Sequence, residues 1–428
     1  MSISKSACLG GVTALVMALM PGAVPSVHAQ GAEEYIVQFR DGTPAAARRA
    51  AAANAGADVR VVFTGTAAVA VRVPNERALQ ALEADPEVTS IVRNRRMSAH
   101  QAAQGKPAGG GGQSTEVMPA GVTRVGVPFP SLSDGAGVGV AILDTGIDLG
   151  HQDLTGTVNA FTAFGSSCQD DAGHGTHVAG IVGARDNAID VVGVAPAAKL
   201  FCVKVLDQSG NGSDATVMAG LDWVLQWHAS VSPAIRVVNM SLGRPGTVDD
   251  NPALRDLIAA LDAAGVVTVV SAGNDASTDV AAQIPAAYPQ VVSVASTTAI
   301  GGTNQCRQLA RPIGADTASY FTTDGRNVAV SAPGEDQEDV SRACLIKSVG
   351  ILSTRLGGGV TRMSGTSMAA PHVAGIAARL FQQHPSYTPA DVRIRLASDA
   401  IRRGIAPIDS PTSSYTFDGV REGVAVAP

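Results

Sequence analysis

From about Val117 onward, short and almost unbroken apolar runs alternate with longer helical patterns. Residues 137–143, 199–206, 236–240, 266–271 and 291–295 are the apolar runs, and 177–184, 215–228, 253–264, 364–381 and 389–397 are helical. A strand that is apolar on both sides must be covered on both sides. When helices separate such strands, the sheet is parallel and sits between two helical layers. The expected fold class is therefore α/β, a three-layer sandwich with a mostly parallel central sheet. In sheets of this kind the polar residues at the carboxyl ends of the strands are placed to act on ligands.

The first hundred residues follow a different grammar. Lys5 precedes an apolar stretch from Ala7 to Met20 that is too short to span a bilayer comfortably, and Pro21 and Pro25 break it. Val27-His28-Ala29 then offers small residues for a cut after Ala29, so 1–29 reads as a signal peptide and the protein as exported. Residues 33–97 alternate strand, helix, strand, helix, strand, a small α+β module. Residues 101–113, with glycine unbroken from 109 to 112, read as a flexible linker open to proteolysis. No second long apolar run follows, which speaks against a membrane anchor. A net charge of −6, without a basic stripe, speaks against a nucleic-acid partner.

Cys8 leaves with the signal peptide. Cys168, Cys202, Cys306 and Cys344 remain, an even number that suggests two disulfides in an exported chain. Four cysteines allow three pairings; joining neighbours in sequence gives Cys168–Cys202 and Cys306–Cys344. No Cys-x-x-Cys spacing supports a zinc site.

Four strand or helix ends carry chemistry. Asp144 follows the first strand in Ile142-Leu-Asp-Thr-Gly-Ile-Asp148. His174 opens a helix in His174-Gly-Thr-His-Val-Ala-Gly180, where His177 reads as structural because the glutamate of His-Glu-x-x-His is missing. Asn274 follows a buried strand in Ser271-Ala-Gly-Asn274, where its amide could donate to an oxyanion. Ser367 stands between the Gly365 turn and an apolar helix, in Gly365-Thr-Ser-Met-Ala-Ala-Pro-His-Val-Ala-Gly375. A serine there lies beside free backbone N–H groups and the positive end of the dipole. Alone, any of these is an ordinary cap or turn residue; in this combination they are not.

The three blocks around Asp144, His174 and Ser367 resemble those of the subtilisin-like serine proteases, and Asp, His, Ser is the order in which that family carries its triad. The similarity runs from about Glu116 to near the C-terminus, and residues 30–100 resemble the family's inhibitor-type propeptide with weaker motifs. The resemblance implies a propeptide at 30–100, a linker carrying the processing region at 101–115 and a subtilisin-like catalytic domain at 116–428. It implies a serine endopeptidase, secreted as a self-processed precursor and monomeric. Its partners would be protein or peptide substrates and its own propeptide, acting as an intramolecular inhibitor. Ser367 would attack the scissile carbonyl, His174 would carry the proton, Asp144 would orient His174, and Asn274 would hold the oxyanion. A narrow maturation protease is the second expectation, and a catalytically silent binding protein on the same fold the third.

Further positions follow from the resemblance. Gly210-Asn211-Gly212 and Ser241-Leu242-Gly243 would be the two edges that take an extended substrate, and Ser271-Ala272-Gly273 one wall of the P1 pocket. Asp214 stands where many members carry an aromatic of the P4 pocket, and Gln283 stands near the pocket base in place of glycine. Asp275 at the rim would tolerate basic side chains. A structural calcium is implied, held by the carboxylate of Asp153, the side chain of Asn187 and the carbonyls of Arg185, Ile189 and Val191. Residues 301–348 read as a surface insertion closed by a disulfide.

Overall fold

The computed structural model describes residues 33–100, 103–104, 115–128, 134–411 and 416–428. The expected signal peptide, 1–29, and most of the expected linker lie outside them. Seven strands form the central sheet, in the order Val328–Glu335, Val292–Thr298, Val267–Ser271, Ile235–Met240, Gly139–Asp144, Lys199–Lys204 and Val158–Thr162. Every neighbouring pair in it is parallel. The edge strand Val158–Thr162 escapes the sequence pattern because it is only half-buried and carries Asn159 and Thr162.

The pleat divides the apolar side chains between two cores. Val140 and Ile142 point to one side, with helices His174–Gly183 and Thr366–Gln383. Ala141 and Leu143 point to the other, with Asp214–Trp227 and Pro252–Ala263. Helix Thr366–Gln383 packs on five of the seven strands and is buried from Thr366 through Phe381. A helix that is apolar all round belongs in an interior, and this one fixes Ser367 to the middle of the core. Its expected start at residue 364 is corrected: Ser364 ends the strand Val360–Ser364, and the chain turns at Gly365 before the helix begins.

The N-terminal module is a four-stranded antiparallel sheet in the order Asp58–Val62, Ala68–Val73, Glu33–Phe39 and Val88–Arg93. It gains one strand, Asp58–Val62, over the sequence reading. Helices Ala45–Asn54 and Glu76–Glu83 cover one face through Val37, Phe39, Val69 and Val71. The other face sends Ile36, Phe63, Ala68 and Ala70 into the second core of the larger domain. The Thr64–Gly65 turn approaches so closely that a Cβ on Gly65 would meet Leu225 at 2.3 Å and Leu257 at 2.7 Å. Asp222 receives that turn: its carboxylate accepts from the N–H of Thr64 (3.0 Å), the N–H of Gly65 (2.6 Å) and the Thr64 hydroxyl (3.0 Å).

The expected surface insertion at 301–348 is corrected: Val328–Glu335 within it is an edge strand of the central sheet, and Thr322 and Thr323 are buried in the interior. Only its two ends stand apart, where the hairpin Glu338–Val340 and Ile346–Ser348 packs a small apolar cluster with Cys306 and Ile313. Both disulfides join neighbours in sequence, Cys168–Cys202 and Cys306–Cys344. No helix among the described residues is long and apolar enough to cross a membrane.

Candidate active site

Asp144 ends an inner strand of the sheet, Gly139–Asp144, where the sheet turns polar. The carboxylate is fully buried and accepts from His174 Nδ1 at 2.7 Å and from the Thr145 N–H at 2.7 Å. Close approach of the His174 helix depends on Gly175, where a Cβ would meet the Gly146 carbonyl at 2.1 Å and the Asp144 Cβ at 3.0 Å. That helix begins at His174, three residues before the expected start; its N-cap, Gly173, has no side chain, and Asp170 supplies an acceptor for the first turn from farther back in the chain. The Asp170 carboxylate accepts from the N–H groups of Ala172, Gly173 and Thr176 and from the hydroxyls of Thr145 and Thr176. Sequence reading passed over Asp170; an Asp three residues before the glycine that leads into a helix was the available signal.

Burial opposes a charge on His174, but the charge and hydrogen bond of Asp144 outweigh it and hold the imidazole above its ordinary value. Its Nε2 is buried without a hydrogen-bond partner. The Ser367 hydroxyl donates to the Ser241 carbonyl at 3.0 Å. His177 is buried and bonds the Ile351 carbonyl, as a structural residue should.

Asn274 is oriented by Thr366. The Asn274 carbonyl oxygen accepts from the Thr366 N–H (2.9 Å) and hydroxyl (2.8 Å), so the amide nitrogen faces the cleft. It donates to a carbonyl that sequence reading did not foresee, that of His100, at 2.6 Å. The Ser367 N–H donates to the same oxygen at 3.3 Å.

His100 ends a segment of the chain that lies across the cleft. Strand Arg96–Ala99 is sandwiched antiparallel between Asn211–Ser213 and Leu242–Pro245, the two expected edges. Ala99 N–H donates to Gly210 and His100 N–H to the Ser241 carbonyl. Met97 is fully buried opposite Gly212, and Ser98 pairs with Asn211 and Gly243. Beyond His100, Ala103–Gln104 pairs antiparallel with Met363–Ser364, which corrects the expectation of an unpaired linker at that point. The imidazole of His100 enters the expected P1 wall, with Nδ1 2.8 Å from the Ser271 hydroxyl. Burial pushes that imidazole down to about 4. Ala272 and Gly273 are buried behind it, and Gln283 lines the same cavity with Asn274 and Asp275.

Two acidic side chains singled out near the pockets take different surroundings. Asp214 is fully buried and forms a two-pronged ion pair with Arg244 at 2.8 Å and 2.8 Å, with Asn251 adding a third bond. It therefore offers no free charge. Asp275 accepts from the Ser277 and Thr278 hydroxyls and the Ser277 N–H, which hold its carboxyl below the usual carboxylate range and so keep it charged at the rim.

The family model for the subtilase family, peptidase S8, matches residues 135–417. The chain belongs to the subtilase family. It is 33% identical to subtilisin E of Bacillus subtilis over 381 residues, 87% of this chain and 86% of that one. The minor extracellular protease Epr of the same organism is 31% identical over 392 residues, 90% of this chain and 54% of that one. Among solved structures, a cold adapted subtilisin-like serine proteinase has a TM-score of 0.54 at 29% identity, covering 72% of this chain and 98% of that one. This subtilase is thus a serine endopeptidase with a subtilisin-like fold.

A second polar centre lies around Asp153, which is fully buried in the turn Gln152–Leu154. One of its oxygens accepts from the Val191 N–H at 3.1 Å, and the other is buried without a partner. The loop that carries Arg185, Asn187, Ile189 and Val191 passes beside it, with left-handed backbone at Ala188 and Asp190. Glu116, absent from the expected set, accepts from the N–H groups of Asn187 and Ala188. Burial, aided by Asp190 and Glu116, pushes Asp153 up to about 7. Among the described residues no three His, Cys, Asp or Glu side chains converge as a metal site, so a cation here would depend on backbone and amide oxygens.

Proposed function

We propose that this subtilase is a secreted serine endopeptidase made as an inactive precursor, and that it removes its own N-terminal module with a Ser367/His174/Asp144 triad. The observation that carries the reading is the His100 carbonyl, which takes hydrogen bonds from both the Asn274 amide and the Ser367 N–H. An oxyanion site is recognised by donors at hydrogen-bond distance from the reacting oxygen, and here a carbonyl of the chain itself is presented to them. Rotation of the Ser367 hydroxyl away from Ser241 would bring it to the partnerless Nε2 of His174. His174 would then take the proton as Ser367 attacks, and return it to the leaving amine. Asp144 would hold Nδ1 protonated and stabilise the imidazolium. Until the cut, residues 96–100 fill the cleft and keep other peptides out. Export is supported by the pattern of 1–29 and by the extracellular relative.

A calcium ion fits the Asp153 centre as a structural ligand. The buried, partnerless Asp153 oxygen is a hard acceptor needing a hard cation, and Asn187 and the carbonyls of Arg185, Ile189 and Val191 would complete the shell. Such an ion would tie the 185–191 loop to the core and takes no part in the chemistry.

The test compares the secreted wild type with Ser367→Ala by intact mass and casein digestion. The wild type should lose its N-terminal module and digest casein, and Ser367→Ala should do neither. A processed but inert wild type favours the narrow maturation protease; a Ser367→Ala chain that processes itself normally removes Ser367 from the mechanism.

A further inference from the structure

The segment in the cleft is also a record of what the cleft selects. We infer that the precursor severs itself between His100 and Gln101, and that the buried Ser271 hydroxyl makes this a protease with preference for histidine at P1. The inference rests on the proposed self-processing.

The position of the cut follows from which carbonyl is held. In the cleft, residues 96–100 run antiparallel between two edges, and only the His100 oxygen is bonded by both Asn274 and Ser367. On the far side, residues 103–104 pair with Met363–Ser364, just before Gly365 and Ser367. The two pairings bracket one short stretch, and His100 supplies its carbonyl. In the reaction the Ser367 oxygen bonds to the His100 carbonyl carbon and the bond to the Gln101 nitrogen breaks. That amine leaves with the proton His174 had taken from Ser367. Water then adds to the His100 ester, giving a carboxylate on His100 and restoring the Ser367 hydroxyl.

The preference follows from the P1 wall. Ser271 ends a core strand and is fully buried, and the bond its hydroxyl makes is to His100 Nδ1. The imidazole also lies so close to the opposite edge that a Cβ on Gly243 would meet its Cε1 at 2.6 Å. A slot of that width with a hydroxyl at its side suits a flat ring bearing a hydrogen-bonding nitrogen. An aliphatic P1 side chain would leave the Ser271 hydroxyl without its partner, which is unfavourable in a dry site. Substrates should therefore resemble the chain's own segment: histidine at P1, a small residue such as Ala99 at P2, and an apolar one such as Met97 at P4.

The experiment has two arms. In the first, mass spectrometry locates the C-terminus of the fragment released from the secreted wild type, beside Ser367→Ala. A fragment ending at His100 supports the inference. A fragment ending elsewhere, with Ser367→Ala uncut, overturns the site and leaves self-processing intact; a cut in Ser367→Ala overturns self-processing itself. In the second, the matured enzyme is assayed on the p-nitroanilides of succinyl-Met-Ser-Ala-His and succinyl-Met-Ser-Ala-Leu. The expected kcat/KM ratio favours histidine by about tenfold, and Ser271→Ala should bring it close to one while still cleaving the leucine peptide. Equal rates in wild type, or a ratio that Ser271→Ala leaves unchanged, would overturn the role of Ser271.

Discussion

Replacing Asp222 by alanine should loosen the grip of the N-terminal module on the catalytic domain without touching the cleft. Asp222 lies on helix Asp214–Trp227, is 6% exposed, and receives two N–H groups and one hydroxyl from the Thr64–Gly65 turn. Hydrogen bonds to a charged group contribute ~1.5–3 kcal/mol each. On release, however, all three donors regain water, so ~1 kcal/mol apiece is the fairer figure. The sum, ~3 kcal/mol, corresponds to about a hundredfold weaker association, at 1.4 kcal/mol per decade. The assay uses the secreted, processed protein while the severed module is still bound. It is diluted through a series, and the initial rate on a chromogenic peptide is read at each concentration. The concentration at which activity appears should rise by about a hundredfold in Asp222→Ala. The rate per fully released enzyme should match the wild type. A midpoint shifted by less than threefold would refute the reasoning, because the turn would then be held by the packing of Gly65 against Leu225 and Leu257 alone.

Three further outcomes follow from the same structure. Asp170→Ala removes the acceptor of five hydrogen bonds at the start of the His174 helix, so it should lower Tm and cost ~3–5 kcal/mol of stability; an unchanged denaturant midpoint would show the cap to be dispensable. Burial pushes the Glu338 carboxyl up to about 8, with the Glu335 charge adding to it. The folded protein therefore binds this proton more tightly than the unfolded chain, and the associated stability is complete below about pH 4 and lost as pH rises through 8. Glu338→Gln should thus melt higher than the wild type at pH 9 and close to it near pH 5, and an identical difference at both pH values would contradict the assignment. Adding a calcium chelator should lower Tm in the wild type and have little effect in Asp153→Ala; a wild-type Tm indifferent to chelator would sink the proposed ion.

Much of the site was legible because its residues sit where local pattern is strongest. Asp144 and Asn274 lie at or just past the ends of strands that are buried throughout, and Ser367 stands at the start of a helix that is apolar over most of its length. What stayed hidden depends on contacts distant in sequence. Glu116 reaches Asn187 across 71 residues, and Asn274 meets His100 across 174. His100 in particular looked like the tail of a module, and only pairing on both sides shows it as an occupant of the cleft. Strand Asp58–Val62 was missed for a related reason: its residues are only partly covered, so alternation is weak. Asp214 was noticed as unusual, but its partner Arg244 lies 30 residues on, and the ion pair between them was not foreseen.

The helix that carries Ser367 is enclosed from Thr366 to Phe381. An engineer therefore cannot tune activity and robustness as separate dials along it: each repacking of its neighbours shifts the nucleophile as well. Ile376→Val, for instance, removes a methylene from the interior and alters the seat of the serine nine positions away. The hairpin presents the opposite case. At its tip, held by the Cys306–Cys344 disulfide over a small apolar cluster, the exposed Arg342, Ala343 and Leu345 can be exchanged while the catalytic geometry stays as it is.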